Sequence, residues 1–181
     1  MVSGLKQRSE FVPLNTTRVD VKTFDCGKEP INRFLHRFAA KHMASSLSAT
    51  FILPFQREGQ STTDKLGVAA YYTLANQSLS PENIPTNKSL PRFETPVVLL
   101  AQLGVNKQHQ GQGLGAITLV SALQHAYSIS TNPNAIPSFG VVLDAIDDEA
   151  LDFYKSFDFF IEFSGNPKRL FVPMQSIVAL L

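Results

Sequence analysis

The stretch Gln110-Gly111-Gln112-Gly113-Leu114-Gly115 is the most informative part of this chain. It follows an apolar segment over residues 97–105, which predicts a buried strand, and it precedes a helical pattern from 116 to about 127. Glycines at alternate positions let the backbone approach a ligand closely. The N–H groups at the start of the following helix favour an anion such as a pyrophosphate. The stretch therefore predicts a site for a phosphorylated cofactor.

Two familiar phosphate-binding loops fit these glycines poorly. The stretch lacks the Lys-Ser/Thr ending of a nucleotide-binding P-loop. It also lacks the G-x-G-x-x-G order and the later acidic residue of a dinucleotide-binding fold. A tight turn with glycines that serve only packing is the plain structural alternative.

Length and composition predict one globular domain over residues 1–181. The chain is 44% hydrophobic and 17% charged. It contains no run of 18 apolar residues, so no membrane span is predicted. The first residues lack the apolar core of a signal peptide. The single cysteine, Cys26, excludes an intramolecular disulfide, so we expect a cytoplasmic protein, and we expect no metal site.

Charge is distributed unevenly along the chain. Residues 1–60 hold nine Lys/Arg against five Asp/Glu, whereas the remainder holds seven against ten. The N-terminal third is therefore the part expected to meet an anionic partner.

The hydrophobic pattern predicts a mixed α/β fold. We expect strands within 11–24 and over 48–56, 67–75, 97–105, 139–145, 159–164 and 169–173, and helices from about 30, over 114–128 and over 147–157. Residues 57–65, 76–95 and 130–138 are expected to be loops.

The helix from about residue 30 is predicted to have two faces. Its apolar face is formed by Ile31, Phe34, Leu35 and Phe38. A basic stripe on another face is formed by Arg33, Arg37 and Lys41. Such a stripe is either a solvated surface or a track for the phosphates of RNA.

Several motifs together resemble the GCN5-related N-acetyltransferases. Gln110-x-x-Gly113-x-Gly115 fits the Q/R-x-x-G-x-G/A signature, and Ala150 to Phe159 is similar to the A-x-x-F-Y-x-x-x-G-F segment of that superfamily. Phe24-Asp25-Cys26-Gly27, with Ile31-x-x-Phe34-Leu35 after it, resembles the opening of the acetyltransferase toxins of bacterial toxin–antitoxin pairs, and 66–74 resembles their next strand. The resemblance spans about residues 15–175.

The resemblance implies a single domain with a mixed, mostly antiparallel sheet of six to seven strands, a splayed central pair and helices on both faces. Acetyl-CoA would enter between the splayed strands, where backbone groups of Leu103 and Val105 would pair with its pantetheine arm. Its pyrophosphate would be held by N–H groups of Gln110, Gly111, Gln112, Gly113, Leu114 and Gly115.

The resemblance also implies a catalytic role for Tyr154. Transfer of an acetyl group to an amine expels a thiolate, and a positioned phenol can protonate it. From the sequence alone, Tyr154 could equally be a core residue whose hydroxyl is bonded to the backbone. No general base is evident.

Other polar residues near these motifs receive structural interpretations. We expect His109 to be an exposed loop residue, Cys26 a small buried hydrophobe, and Asp147 a helix cap. Asp158 stands where the related segment carries glycine, in a turn that tends to need positive φ, which aspartate tolerates better than most residues.

The leading functional hypothesis is a toxin that acetylates the amino group of aminoacyl-tRNA and blocks translation. The resemblance implies a small ribbon-helix-helix antitoxin as partner and leaves a homodimer open. The exposure of Phe11, Phe55, Phe93, Phe160 and Phe163 bears on that dimer. The alternatives are an acetyltransferase acting on a small-molecule or protein amine, and a non-catalytic acyl-CoA-binding module.

Overall fold

The computed structural model describes residues 10–61 and 63–180 of the chain. Its strands are β1 (Val12–Pro13), β2 (Ala49–Phe55), β3 (Gly67–Leu79), β4 (Thr95–Val105), β5 (Gly140–Asp144), β6 (Ile161–Phe163) and β7 (Asn166–Pro173). They form a seven-stranded sheet in the order β1-β2-β3-β4-β5-β7-β6. This mixed sheet with helices confirms the expected fold class.

Strand directions in the sheet are mixed. The pairs β1–β2, β2–β3, β5–β7 and β6–β7 are antiparallel, whereas β4 and β5 run parallel. The parallel register consists of Val98↔Val141 and Leu99↔Val142, in the first half of β4. Strand β4 continues to Val105 beyond this short ladder.

The helices are α1 (Glu29–Arg33), α2 (Ala39–Ala44), α3 (Leu114–Thr131), α4 (Asp148–Lys155) and α5 (Met174–Ile177). A π-helical turn, Phe34–Phe38, joins α1 to α2, so that the backbone is helical without interruption from 29 to 44. We call this whole segment the 29–44 helix. Among the described residues, no helix combines the length and the apolar character needed to span a membrane.

The chain divides into two compact units. The first contains the described residues up to Leu74 together with Gln102–Ser121. Its core includes Phe24 and Tyr71, whose rings meet edge to face at 5.2 Å. The Tyr71 hydroxyl donates a hydrogen bond of 2.7 Å to the carbonyl of Ile31, which fixes the 29–44 helix against β3.

The second unit contains Ala75–Ala101 and Ala122–Leu181. Its core surrounds Phe171 on β7, which is completely buried. The Phe139 ring stacks on Phe171 at 5.9 Å, and Val97 of β4 and Val142 of β5 belong to the same cluster. This cluster holds the parallel pair of strands against β7.

Several predicted boundaries were wrong. Strand β3 continues to Leu79 instead of ending at 75, because the side chain of Leu79 is buried in the core of the second unit. Helix α3 extends to Thr131, three residues past its predicted end. The expected strand within 11–24 is reduced to two residues and a 3-10 turn at Val21–Thr23. Helix α5 was not predicted.

The predicted apolar face of the 29–44 helix was wrong at Phe38. This side chain is 42% exposed, whereas its neighbour Ala39 is completely buried. The π turn explains the difference, since Ala39 donates its N–H to the carbonyl of Phe34, five residues back. The wider turn contains an extra residue, which moves Ala39 to the inner face and Phe38 to the outer one.

Candidate active site

The glycine-rich loop connects β4 to α3 in the first unit. After Val105 the chain makes a 3-10 turn at Lys107–His109 and then passes through Gly111 and Gly113, whose φ angles are 73° and 78°. Both glycines therefore adopt a conformation that side-chain-bearing residues avoid. No heavy atom lies within 4 Å of where a Cβ would stand at either position. The loop is shaped by backbone conformation and is open on that side.

The loop also leaves hydrogen-bond donors free. The N–H groups of Gly111, Gln112 and Gly113 form no hydrogen bond of ordinary geometry with any described residue. Leu114, the first residue of α3, is buried against Val105 and Leu53 and so anchors the start of the helix. Free N–H groups at the start of an 18-residue helix are the arrangement that binds a phosphate or pyrophosphate.

Gln110 has a different role from that of its neighbours. Its side-chain amide donates hydrogen bonds of 2.9 Å to the carbonyl of Cys26 and 2.9 Å to the carbonyl of Val105. The amide therefore ties the end of β4 to a turn 84 residues earlier in the chain. Gln110 occupies the Q/R position of the signature, and it holds the loop in place because its side-chain amide donates both of these hydrogen bonds to carbonyls of the protein.

The turn that Gln110 holds, Asp25-Cys26-Gly27, is itself tightly bonded. The Asp25 carboxylate accepts from the N–H of Gly27 at 2.9 Å and from the side-chain amide of Asn32 at 2.8 Å. The Lys107 ammonium lies 2.8 Å from the same carboxylate, and the Lys107 N–H donates to the Asp25 carbonyl. The hydrogen bond from Lys107, helped by those from Gly27 and Asn32, lowers the pKa of Asp25 to about 2.

Two buried asparagines complete this scaffold, and sequence reasoning missed both. Asn32, on the 29–44 helix, accepts from the N–H of Cys26 at 2.9 Å. Asn106 donates to the carbonyl of Val68 and caps the 3-10 turn by accepting from Gln108. For Asn32, the available signal was a polar residue at a helix position facing the core, next to an Asp-x-Gly turn.

The other residues considered near the loop are buried or half-buried. Leu103 is half-buried, and Val105 is buried with its carbonyl already bonded to Gln110. His109 packs edge to face on Phe55 at 4.5 Å, and burial lowers its pKa. The expectation that His109 is an exposed loop residue was wrong. Cys26 is buried, as expected, and burial raises the pKa of its thiol.

Tyr154 belongs to the second unit, on helix α4. Asp147 begins this helix, as predicted, by accepting from the N–H of Ala150 at 2.9 Å. Tyr154 is 8% exposed, and burial raises its pKa above the ordinary value. Its hydroxyl forms no hydrogen bond with a described residue, unlike the hydroxyl of the buried Tyr71. A buried phenol without a protein partner is available to a ligand.

Aromatic rings surround Tyr154. Rings of the second unit form a closed circuit of neighbours 4.9–5.9 Å apart, which consists of Phe153, Tyr154, Phe160, Phe159 and Phe157. Four of the fourteen phenylalanines of the chain belong to this circuit. Asp158, between these rings, does not adopt positive φ, so the expected left-handed turn was wrong.

The predicted basic stripe is on the surface of the first unit. Arg33, Arg37 and Lys41 are all exposed, and none forms an ion pair with a described residue. Arg57, by contrast, is bonded to Thr23 and lies 3.8 Å from the carboxylate of Asp20. The three cations of the 29–44 helix are thus free to meet an anionic partner.

The second unit has an open cleft of about 550 Å³ that contains none of the predicted site residues. Its polar lining includes Glu82, Asn87 and Glu162. Within the described residues, no group of three or more His, Cys, Asp or Glu side chains is arranged to hold a metal ion.

Comparisons with known proteins agree on one kind of relative. The chain is 28% identical to a tRNA-acetylating toxin of Mycobacterium tuberculosis over 164 residues, which cover 90% of both proteins. It resembles the structure of AtaT complexed with acetyl-methionyl-tRNAfMet, with a TM-score of 0.79 and 28% identity over 94% of this chain and 98% of that one.

A second AtaT structure gives the same result. The AtaTR complex bound with AcCoA has a TM-score of 0.78 and 29% identity, with 94% of this chain and 96% of that chain covered. No protein-family model matches the chain.

The seven-stranded sheet, the glycine-rich loop and these similarities bear out the resemblance to the GCN5-related N-acetyltransferase superfamily. Within that superfamily it is similar to the acetyltransferase toxins of toxin–antitoxin systems.

Proposed function

We propose that this protein is a toxin that transfers the acetyl group of acetyl-CoA to the amino group of an aminoacyl-tRNA and thereby blocks translation. The observation that carries the proposal is similarity over nine-tenths of both chains to a tRNA-acetylating toxin. The open glycine-rich loop, whose N–H groups are free, supports the same function.

The glycine-rich loop is the proposed holder of the cosubstrate. Acetyl-CoA supplies an acyl group activated as a thioester. The free N–H groups of 111–113 and the start of α3 at Leu114 and Gly115 would bind its pyrophosphate. Backbone groups of Leu103 and Val105 would orient its pantetheine arm. Gln110 would keep the loop in place through its two carbonyl partners.

Tyr154 is the proposed general acid. As the acceptor nitrogen bonds to the acetyl carbon and the carbon–sulfur bond breaks, the phenol gives its proton to the leaving sulfur. The phenol then regains a proton, and water carries away the proton that the nitrogen loses. Because burial raises the pKa of Tyr154, the phenol is in its protonated form at neutral pH.

The basic stripe is the proposed contact with tRNA. Arg33, Arg37 and Lys41 are exposed and have no carboxylate partner among the described residues, so they can neutralise phosphates without losing an ion pair.

Partners follow from the same proposal. One of the similar structures contains the toxin AtaT bound to the C-terminus of the antitoxin AtaR. Another is a complex of KacTA with DNA. We expect a small antitoxin of the ribbon-helix-helix type, and a homodimer that light scattering would detect. Of the five phenylalanines considered for a dimer surface, Phe93 is the exposed one, at 67%. A cytoplasmic location follows from a substrate that is made in the cytoplasm.

Transfer of labelled acetyl groups tests the function. The purified protein is incubated with labelled acetyl-CoA and with charged tRNA, deacylated tRNA or polyamines. We expect label on charged tRNA alone. Label on polyamines alone would support a small-amine acetyltransferase, and no transfer to any acceptor would support a non-catalytic acyl-CoA-binding module; either result contradicts the proposal.

A pair of tyrosine variants tests the proposed acid. Tyr154→Phe is expected to lower kcat by about 10²–10⁴-fold, while the Kd for acetyl-CoA stays unchanged. Tyr127→Phe, on α3, removes a hydroxyl from a half-buried tyrosine and is the matched control. Full activity of Tyr154→Phe would refute the role of Tyr154.

A further inference from the structure

The 29–44 helix carries a repeated pair of residue types. A cation is followed by an aromatic ring at each of three steps four residues apart, in the pairs Arg33-Phe34, Arg37-Phe38 and Lys41-His42. The only carboxylate between 29 and 44 is Glu29, at the start of the helix. Two parallel stripes, one cationic and one aromatic, therefore run along this helix.

The aromatic stripe is continuous in the structure. The rings of Phe34 and His42 meet edge to face at 5.3 Å, and the rings of Phe38 and His42 lie 6.3 Å apart. The ring of His42 lies near both phenylalanine rings, so the three rings form one stripe although the π turn moves Phe38 outward.

Phe38 is the exposed member of the stripe. It is 42% exposed, whereas Phe34 and His42 are half-buried, and its neighbour among the two is His42, with ring centroids 6.3 Å apart. A phenylalanine that points outward loses the stabilisation that burial of its apolar ring would give. The π turn exposes Phe38 between Arg37 and Lys41, two cations without an ion-pair partner among the described residues. Exposed aromatic rings beside unpaired cations are the combination with which proteins hold unpaired nucleotides.

We propose that Phe38 is a stacking platform for an unpaired base of the RNA substrate. Arg33, Arg37 and Lys41 hold the phosphates on either side of that base. The inference rests on the proposed function and deepens it, because a charged tRNA carries its amino acid on a single-stranded 3′ end. Phe38 thus recognises the unpaired end of the substrate, whereas the cations contact phosphates, which paired and unpaired RNA both carry.

Binding of short RNAs tests the platform without any acetyl transfer. Fluorescence anisotropy measures the affinity of the whole protein for a labelled oligoadenylate and for a duplex RNA of the same length. Phe38→Leu is expected to weaken oligoadenylate binding about tenfold, or about 1.4 kcal/mol, with little change for the duplex. Phe38→Tyr retains the ring and is expected to bind like the natural protein.

Two further variants separate stacking from charge and from general exposure. Arg37→Gln is expected to weaken the binding of both RNAs. It is also expected to lower the salt dependence of the binding constant by the amount that about one phosphate contact contributes. Phe93→Leu removes an exposed ring of the second unit and is expected to change neither affinity. Circular dichroism of each variant checks that the fold is retained.

The outcomes distinguish this inference from the proposed function. If Phe38→Leu binds oligoadenylate like the natural protein, or loses both RNAs equally, the platform is refuted even when charged tRNA is acetylated. If charged tRNA is not acetylated but oligoadenylate binding depends on the ring of Phe38, the platform stands and the proposed substrate does not. With active enzyme, Phe38→Leu is expected to raise KM for charged tRNA and to leave KM for acetyl-CoA unchanged.

Discussion

Replacing Gln110 tests whether the glycine-rich loop is held by a side-chain brace. Gln110→Glu has the same shape but replaces the donating NH₂ with an oxygen. That oxygen would face the carbonyls of Cys26 and Val105, each 2.9 Å from the present nitrogen. Three acceptors cannot bond to one another, so the side chain must turn away and release the loop. Gln110→Arg restores N–H donors and is the matched control.

The size of the effect follows from the two bonds that are lost. Each ordinary hydrogen bond contributes about 0.5–1.5 kcal/mol, so the pair contributes about 1–3 kcal/mol. Because Gln110 is exposed, water replaces part of what is lost, and the lower half of this range applies. We expect Gln110→Glu to raise the Kd for acetyl-CoA about tenfold and Gln110→Arg to change it less than about threefold.

Isothermal titration with acetyl-CoA measures the effect directly. Steady-state kinetics should show a higher KM for acetyl-CoA and a kcat close to the natural value, because Gln110 is not proposed to take part in the chemistry. If Gln110→Glu binds acetyl-CoA as tightly as the natural protein, the brace is not needed for the site. If Gln110→Arg is as weak as Gln110→Glu, donation to the two carbonyls is not the reason.

Three further predictions concern packing, pH and the proposed acid. Gly104→Ala should lower the free energy of unfolding by about 1–3 kcal/mol in urea titrations, because the new methyl group would lie 2.9 Å from the nearest side-chain carbon; Gly165→Ala, with open space around it, should not. The pKa of Asp25 is lowered in the folded protein, so the ionised carboxylate stabilises the fold at pH values above 3.8, the ordinary pKa of the group. This contribution is lost as the pH falls toward 2. Asp25→Asn should therefore reduce the loss of Tm over that interval, and an unchanged loss would contradict this role of the Asp25 carboxylate. Since burial raises the pKa of Tyr154, kcat should show no decline from ionisation of the phenol between pH 7 and 9. A fall in kcat in that interval that Tyr154→Phe abolishes would contradict the raised pKa.

Local sequence patterns predicted the glycine-rich loop and most of the sheet well. The apolar segment before the loop and the helix after it are each long enough to be recognised without tertiary information. Asp147 was predicted as a cap for the same reason, because a cap acts within one turn of the helix.

Features that depend on distant contacts were missed. The bond from Gln110 to Cys26 joins residues 84 positions apart, and no local pattern indicates it. The π turn also defeats a pattern that assumes 3.6 residues per turn, which is why Phe38 was expected inside and is found outside. The free hydroxyl of Tyr154 could be found only from its surroundings, since the sequence allowed a bonded core tyrosine equally well.

Mass spectrometry of the modified substrate tests the central claim most directly. Charged tRNA is incubated with the protein and acetyl-CoA, and nuclease digestion then releases the terminal aminoacyl-adenosine. The proposed function predicts one added acetyl group on the amino group of the attached amino acid, dependent on Tyr154. An unmodified aminoacyl-adenosine from every charged tRNA tested, with the protein folded and acetyl-CoA bound, would contradict it.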